Sequence, residues 1–425
     1  MEKKCLFSLD QDIYYEELKN GLKIVLIPNE NRKDYYVSYT TKYGSVNLNF
    51  IPEGDKKVYN SPKGIAHFLE HKMFEQPSGE DPFTFFSKTG TGSNAGTSYK
   101  KTSYFIYGIN NLEENLDYLI NFVNEPYFTD QNVEKEKGII IEEIKMYDDD
   151  PDWILAEEVA KATFYNHPIR YDIAGYVDTV SKITKEDLYK CYNTFYSPNN
   201  MILVVSGNFD VDRVMNVIKD NKLLNSKTEK TVIKEVKDIE KESVNNKYKE
   251  ITIPNIAINK IGINFKISLK DVKDKHKFSL YMSGLISILF GSTSSFKDEM
   301  MSKGYSTGIS CSQMLMDDFF LIEFYAEGDK PKELLKEIEL RLKEKEITEE
   351  EFNRYKKVLI ANIVMDSDNP QNIAEEIIND FINFDEIFYD KIDIIRKLDF
   401  KDFIKTKNNT DFSNTSCVIL KKGND

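Results

Sequence analysis

Histidine is nearly absent from this chain, with four residues in 425. Imidazole chemistry here must therefore be concentrated, and two of the four histidines stand together at His67 and His71. Cysteine is as sparse. Cys5, Cys191, Cys311 and Cys417 are scattered with no C-x-x-C spacing, which excludes a disulfide framework and fits free thiols in a reducing compartment. No apolar run approaches the roughly 20 residues of a membrane span. The stretch opening Met1-Glu2-Lys3-Lys4 lacks the apolar core of a signal peptide. Basic residues are outnumbered, 57 against 71 acidic ones, for a formal charge of -14. That balance argues against nucleic acid as a partner and favours a basic over an acidic peptide. A cytoplasmic enzyme is the expectation, and 425 residues are too many for one ordinary core.

What is present is His67-Phe68-Leu69-Glu70-His71. Four residues apart, both imidazoles fall on one face of a helix, with an acid beside the second. The order H-x-x-E-H is the zincin signature H-E-x-x-H reversed. Zinc accounts for each residue type. Two neutral imidazoles bind the ion from one helical face, and a carboxylate completes three protein ligands. Zinc acidifies water, and a nearby glutamate takes the proton during attack on a peptide carbonyl. The plainer explanation is a helix that happens to carry two histidines. Against it, Gly64-Ile65-Ala66 and Met73-Phe74 make residues 64–74 an apolar helix. A polar stripe in such a helix needs a partner, because buried charge is costly unless paired or metal-bound.

Along the chain, residues 22–27, 35–41, 97–109, 201–206 and 260–267 read as strands, and 46–61 as a loop. Residues 111–124, 133–147, 278–290 and 331–344 read as helices, and Thr184 opens another with a capping-box-like start. The polar stretch 221–250 reads as a connection, with one short strand at 231–236. Residues 128–151 align without a gap on 347–370, with seven of 24 pairs identical, among them Met146/Met365 and Pro151/Pro370. The shared order of strand and helices at an offset near 219 makes the chain two copies of one α/β domain. The expected boundaries are 1–220 for a metal-bearing domain, 221–250 for the connection and 251–425 for its homologue.

The third ligand has to come from outside the motif. Glu136 and Glu143 are seven apart on one helix and share a face, while Glu142 is turned about 100° away. One of the pair could bind zinc and the other orient a histidine. A merely solvated acidic face is the bland alternative, and Ile139, Ile140, Ile141 and Ile144 argue against it by burying the helix. In the second copy Glu136 and Glu143 become Tyr355 and Asn362. The apolar helix near 287–291 has neither histidine nor acid. Histidines and glutamates are present or absent together, which points to one site.

These residues resemble the inverted-zincin peptidases of the insulysin, pitrilysin and mitochondrial processing peptidase family, over nearly the whole chain. The resemblance is carried by Gly64-Ile65-Ala66-His67-Phe68-Leu69-Glu70-His71-Lys72-Met73-Phe74, by Asn94-Ala95-Gly96-Thr97-Ser98 and by Glu136 to Met146. It continues through His167-Pro168, Asp172-Ile173-Ala174-Gly175 and Phe195-Tyr196-Ser197-Pro198-Asn199-Asn200-Met201. It implies an α+β fold, two homologous α/β domains in tandem that form half of a clamshell peptidase. It further implies that His67, His71 and Glu143 hold one Zn²⁺, that Glu70 is the general base, and that Glu136 is the auxiliary acid. Family members usually have an aromatic residue after Asn-Ala. Gly96 stands here instead and alters a substrate subsite at Asn94 and Ala95. Active members also carry an Arg, and several residues on a Tyr, in the second domain. Here Met301 and Thr307 occupy those places, with Tyr305 nearby. The chain thus resembles the zinc-bearing subunit of a two-chain bacterial type. A homologous, non-identical partner would supply the Arg and Tyr, and a homodimer is the competing arrangement.

The expected function is a zinc endopeptidase acting on peptides or unfolded segments in an enclosed chamber. The alternative is a non-catalytic assembly or peptide-binding subunit of the same fold. Four matched polar groups, His67, Glu70, His71 and Glu143, favour the enzyme, since a binding subunit has no need of them. The small residues 94–98 suit an extended substrate adding to a sheet edge.

Overall fold

The computed structural model describes every residue except 8, 10, 229, 255, 424 and 425. The chain divides into two compact units, and neither is contiguous. The first comprises Met1–Lys145, Asp172–Lys237 and Ile363–Ile392; the second comprises Met146–Tyr171, Asp238–Asn362 and Asp393–Asp425.

In the first unit lie β1 (Glu2–Cys5), β2 (Asp12–Glu17), β3 (Lys23–Pro28), β4 (Tyr35–Thr41), β5 (Asn49–Ile51), β6 (Tyr59–Asn60), β7 (Gly92–Thr97), β8 (Thr102–Gly108), β9 (Met201–Gly207) and β10 (Lys234–Glu235). Seven of them form one sheet in the order β1-β2-β3-β9-β4-β8-β7. Only β3 and β9 run parallel; the other neighbours are antiparallel. β4 and β9 are buried along their whole length, as expected of central strands rich in β-branched and aromatic residues. The second unit holds β11 (Tyr248–Ile253), β12 (Lys260–Ser268), β13 (Gly308–Met316), β14 (Phe319–Glu327) and β15 (Thr415–Lys422), ordered β11-β15-β12-β14-β13. Here too only the first pair is parallel. Matching β3, β9, β4, β8 and β7 to β11, β15, β12, β14 and β13 preserves chain order, neighbour order and direction. The internal repeat seen in the sequence is therefore a repeat of fold.

The contiguous boundaries 1–220 and 251–425 differ from these units in one instructive respect. After the repeated segment, each copy sends its next helix to the other unit. Pro151–Thr163 packs on β12 and β15, whereas Pro370–Phe384 packs on β4 and β9, the equivalent strands. Asp150 and Asn369 start the two helices, their side chains accepting from backbone N–H groups two and three residues on, and a proline follows each. The fit of the first is close. A Cβ on Gly262 of β12 would lie 2.3 Å from Val159 Cγ2, so glycine lets Leu155, Val159 and Ala162 reach the sheet and join Val418 and Leu420 in a common cluster. The second brings Ile373, Ala374, Ile377, Ile378 and Phe381 into burial. Its Glu375 accepts from Tyr36 and Lys101.

Other differences are local. Of the expected strand 97–109, residues 102–108 form β8; Thr97 ends the preceding strand β7, and 98–101 turn the chain between the two. The Ser98 hydroxyl turns the chain by accepting from Lys101 N and donating to Lys101 O, without the Gly, Asn or Pro that would mark a turn in sequence. The expected loop at 46–61 contains β5 and β6, and β10 pairs with β5 as a shorter strand than 231–236. Thr184 does form a capping box, with Asp187.

Nor is the 221–250 stretch a free tether. The Lys266 side chain on β12 is fully buried, and its ammonium donates to Glu240 at 2.7 Å and to the Lys241 carbonyl at 2.7 Å. Glu240 also accepts from the backbone N–H groups of Tyr165, Asn166 and His167. One ion pair thus joins the connection, the segment after the first exchanged helix and the second sheet. Replacing Lys266 by Met leaves a buried carboxylate without its cation and should cost about 3–5 kcal/mol. The double variant Lys266→Met/Glu240→Gln should recover much of this in urea unfolding. A single-variant loss below about 1 kcal/mol contradicts the assignment.

Candidate metal centre

The motif helix, Ile65–Met73, begins at Gly64 with φ +88°, a left-handed conformation that favours glycine. A Cβ there would sit 2.3 Å from the Ala174 carbonyl oxygen, and one on Gly175 (φ +78°) would meet Lys63 O at 2.4 Å. Two glycines thus let the 172–175 turn close on the start of the helix. Phe68, Leu69 and Met73 bury its apolar face. The opposite stripe presents His67 and His71, whose ring centroids are 4.5 Å apart.

The second helix, Asp130–Tyr147, brings both carboxylates to that stripe. Glu143 Oε1 lies 3.7 Å from His67 Nε2, and its Oε2 lies 3.8 Å from His71 Nε2. Ligand atoms of His67, His71 and Glu143 all fall within 4.8 Å of one another, the sole cluster of this kind among the described residues. These separations are too long for hydrogen bonds. They suit atoms that share an ion: tetrahedral ligands at zinc bond lengths stand about 3.3–3.4 Å apart. The three residues could therefore hold a zinc ion once their side chains draw together around it.

Glu136 occupies the other side. Its Oε1 is 3.0 Å from His71 Nδ1. With that nitrogen protonated and donating to the carboxylate, the lone pair of Nε2 is left facing Glu143. His67 has no such brace, since its Nδ1 is buried without a hydrogen-bond partner. Burial, and then the neighbouring His71 ring, push the His67 imidazole down to about 4, so it is neutral and able to ligate at neutral pH. Burial opposes protonation of His71 also, but the Glu136 hydrogen bond and the surrounding carboxylates outweigh it and raise its pKa. Burial raises the pKa of Glu70 as well, against the opposing hydrogen bond from Thr97, whose hydroxyl donates to Glu70 Oε2 at 2.7 Å.

Asn94 and Ala95 lie on β7, the last strand of the first sheet, which pairs on one side only, with β8. A Cβ on Gly96 would meet nothing within 4 Å, so sterics do not require glycine there. A cavity of about 730 Å³ opens at the site, with Glu70, His71, Phe74, Asn94, Tyr127 and Ile139 in its wall. Ile139 is about half exposed, not buried with Ile140 and Ile144 as the isoleucine run suggested. A larger cavity, about 890 Å³, lies in the second unit and is lined by no histidine.

The second copy replaces this arrangement with packing. Tyr355, at the position of Glu136, is buried, and its hydroxyl donates to the Leu280 carbonyl of helix Lys275–Phe290. Met301 is exposed near the end of helix Phe296–Ser302, and Thr307 N bonds to Glu327 O. Sequence reasoning overlooked Thr97 as the partner of Glu70. The only signal for it was a hydroxyl among the small residues 94–98.

The chain is similar to known proteins over most of its length. Residues 53–176 match the model of Insulinase (Peptidase family M16), and residues 182–359 match that of the Peptidase M16 inactive domain. The chain is 36% identical over 411 residues to the uncharacterized zinc protease YmfH of Bacillus subtilis, covering 93% of each chain. An M16-like peptidase from Alicyclobacillus acidocaldarius superposes with a TM-score of 0.90 at 30% identity, over 98% of this chain and 99% of that one. The periplasmic protease PqqL of Escherichia coli has the same fold at 19% identity and a TM-score of 0.71, over 98% of this chain but 48% of that one.

The site makes a graded prediction. Wild-type protein should carry about one zinc per chain and His71→Ala essentially none. Glu136→Gln should keep the ion but bind it roughly 10- to 100-fold more weakly. Metal analysis and chelator competition read both. Equal zinc in wild type and His71→Ala would refute the ligand set.

Proposed function

Because the chain belongs to the insulinase family, peptidase family M16, we propose that it is a zinc-dependent endopeptidase that hydrolyses peptides or unfolded segments. One observation carries the reading. His67, His71 and Glu143 converge from two helices, with Glu136 on the far nitrogen of His71. Zinc held there would supply a Lewis acid that polarises a peptide carbonyl and makes water a stronger acid.

The protein's own contribution is proton handling and placement. Glu70 accepts the proton of the attacking water as the new C–O bond forms, then returns it to the amine nitrogen as the C–N bond breaks. Its raised pKa suits both transfers. Thr97 holds Oε2 and leaves Oε1 for the proton. The unpaired side of β7 offers backbone N–H and C=O groups to an extended substrate at Asn94 and Ala95. That pairing would draw the scissile bond along the wall of the cavity.

A non-identical chain of similar size completes the proposed enzyme and encloses the substrate in a chamber. Support comes from Met301 and Thr307, which leave the second unit without the Arg and Tyr of the resemblance. PqqL, about twice this length, also matches this fold with its first half. A cytoplasmic setting belongs to the same proposal and rests on four free cysteines.

Glu70→Gln preserves size and polarity but cannot take a proton. It should retain zinc and lose at least about 10²-fold in peptide turnover. Wild-type turnover in this variant would reject Glu70 as base, and a wild type that binds zinc yet never cleaves peptides with its partner would favour a non-catalytic subunit. Turnover per zinc should rise when the isolated chain is reconstituted with its co-purifying partner. A homogeneous preparation that already matches the reconstituted pair would dismiss the heterodimer.

A further inference from the structure

The motif helix contains a residue that the chemistry above does not use. Lys72 follows His71 directly, and its side chain is completely buried. A lysine in that position is costly unless its charge is matched. Its ammonium donates to the Asn132 carbonyl at 3.1 Å and meets Glu75 Oε2 at 2.9 Å. On its third side stands Glu136 Oε2, at 3.8 Å. Glu136 is therefore held between two groups: its Oε1 takes His71 Nδ1, and its Oε2 faces a cation with no access to water.

We propose that Lys72 is a positioning residue for the metal centre, a buried cation that acts through Glu136 to hold His71 in its ligating orientation. The inference rests on the zinc reading of the site. The arrangement is physically economical. A buried carboxylate facing only an imidazole could swing to either nitrogen or draw in water. With Lys72 on its second oxygen, it has one orientation, and so has the ring. Lys72 is itself fixed from the outer side by Glu75, which Lys135 also approaches at 3.5 Å. Charges therefore alternate inwards from Lys135 through Glu75 and Lys72 to Glu136, which holds the His71 ring.

A purely structural role would look different. Asn132 lies in the first turn of the helix that carries Glu136 and Glu143, so Lys72 could simply dock that helix through the Asn132 carbonyl. A double-mutant cycle separates the two roles. The measurements are zinc affinity by chelator competition and the visible absorption of the Co²⁺-substituted protein, made on the full chain. Lys72→Met should weaken zinc binding about 10-fold. In a Glu136→Gln background the same change should do nothing further, and the two Co²⁺ spectra should coincide. If Lys72→Met does not fold, Lys72→Gln takes its place, keeping a donor for Asn132 while removing the charge. Wild-type affinity in the single variant, or a loss that persists undiminished beside Glu136→Gln, overturns the inference while leaving the zinc site intact. A wild-type chain that takes up no zinc removes the zinc reading first, and this inference with it.

Discussion

The hydrogen bond between Glu136 and His71 is the contact through which this site is defined. It joins two helices that are distant in sequence and gives them a single relative register. With Glu136 against Nδ1, the seven-residue spacing sets Glu143 two turns along the same face, opposite the two Nε2 atoms. A helix rotated by one residue would swing both carboxylates away by about 100°. The glycine pair at 64 and 175 serves the same end from the other side, letting the 172–175 turn brace the start of the histidine helix. The second copy shows what remains when the chemistry is removed. Tyr355 keeps a hydrogen bond between the equivalent helices, but through a backbone carbonyl, and no cluster of His, Cys, Asp or Glu ligands lies there among the described residues.

Much of the site was legible in sequence because helical periodicity is strict. His67 and His71 at i and i+4, and Glu136 and Glu143 at i and i+7, can face a common point only on helices, and both segments form them. Which glutamate does what was not fixed by spacing alone, since both lie on one face. The family resemblance supplied an assignment; in the structure Glu143 stands within 3.8 Å of both Nε2 atoms while Glu136 takes Nδ1. Thr97 was hidden because a strand hydroxyl has no periodic signature. Lys72 was visible as a charge inside an apolar helix, yet only the fold reveals which carboxylates surround it.

The boundaries expected from sequence differ from the compact units for a related reason. Composition located the connection at 221–250, and the repeat located the two copies, but neither records which sheet a helix covers. Pro151–Thr163 and Pro370–Phe384 follow the same signal, a capping Asp or Asn and then proline, that ends one helix and opens the next. The apolar face that follows says only that a sheet must receive it. Gly262 against Val159 decides the matter for the first helix, and that contact spans more than a hundred residues.

This exchange has a bearing on biosynthesis. When residue 237 has left the ribosome, every strand of the first sheet exists, but the helix that covers β4 and β9 begins only at residue 370. For the intervening 130-odd residues of translation, at roughly 5–20 residues per second, those hydrophobic strands wait for a cover that the same chain has yet to make. During that interval the face of β4 and β9 that Pro370–Phe384 will cover is still without that helix. Its two copies reach maturity together, with the later one completing the earlier.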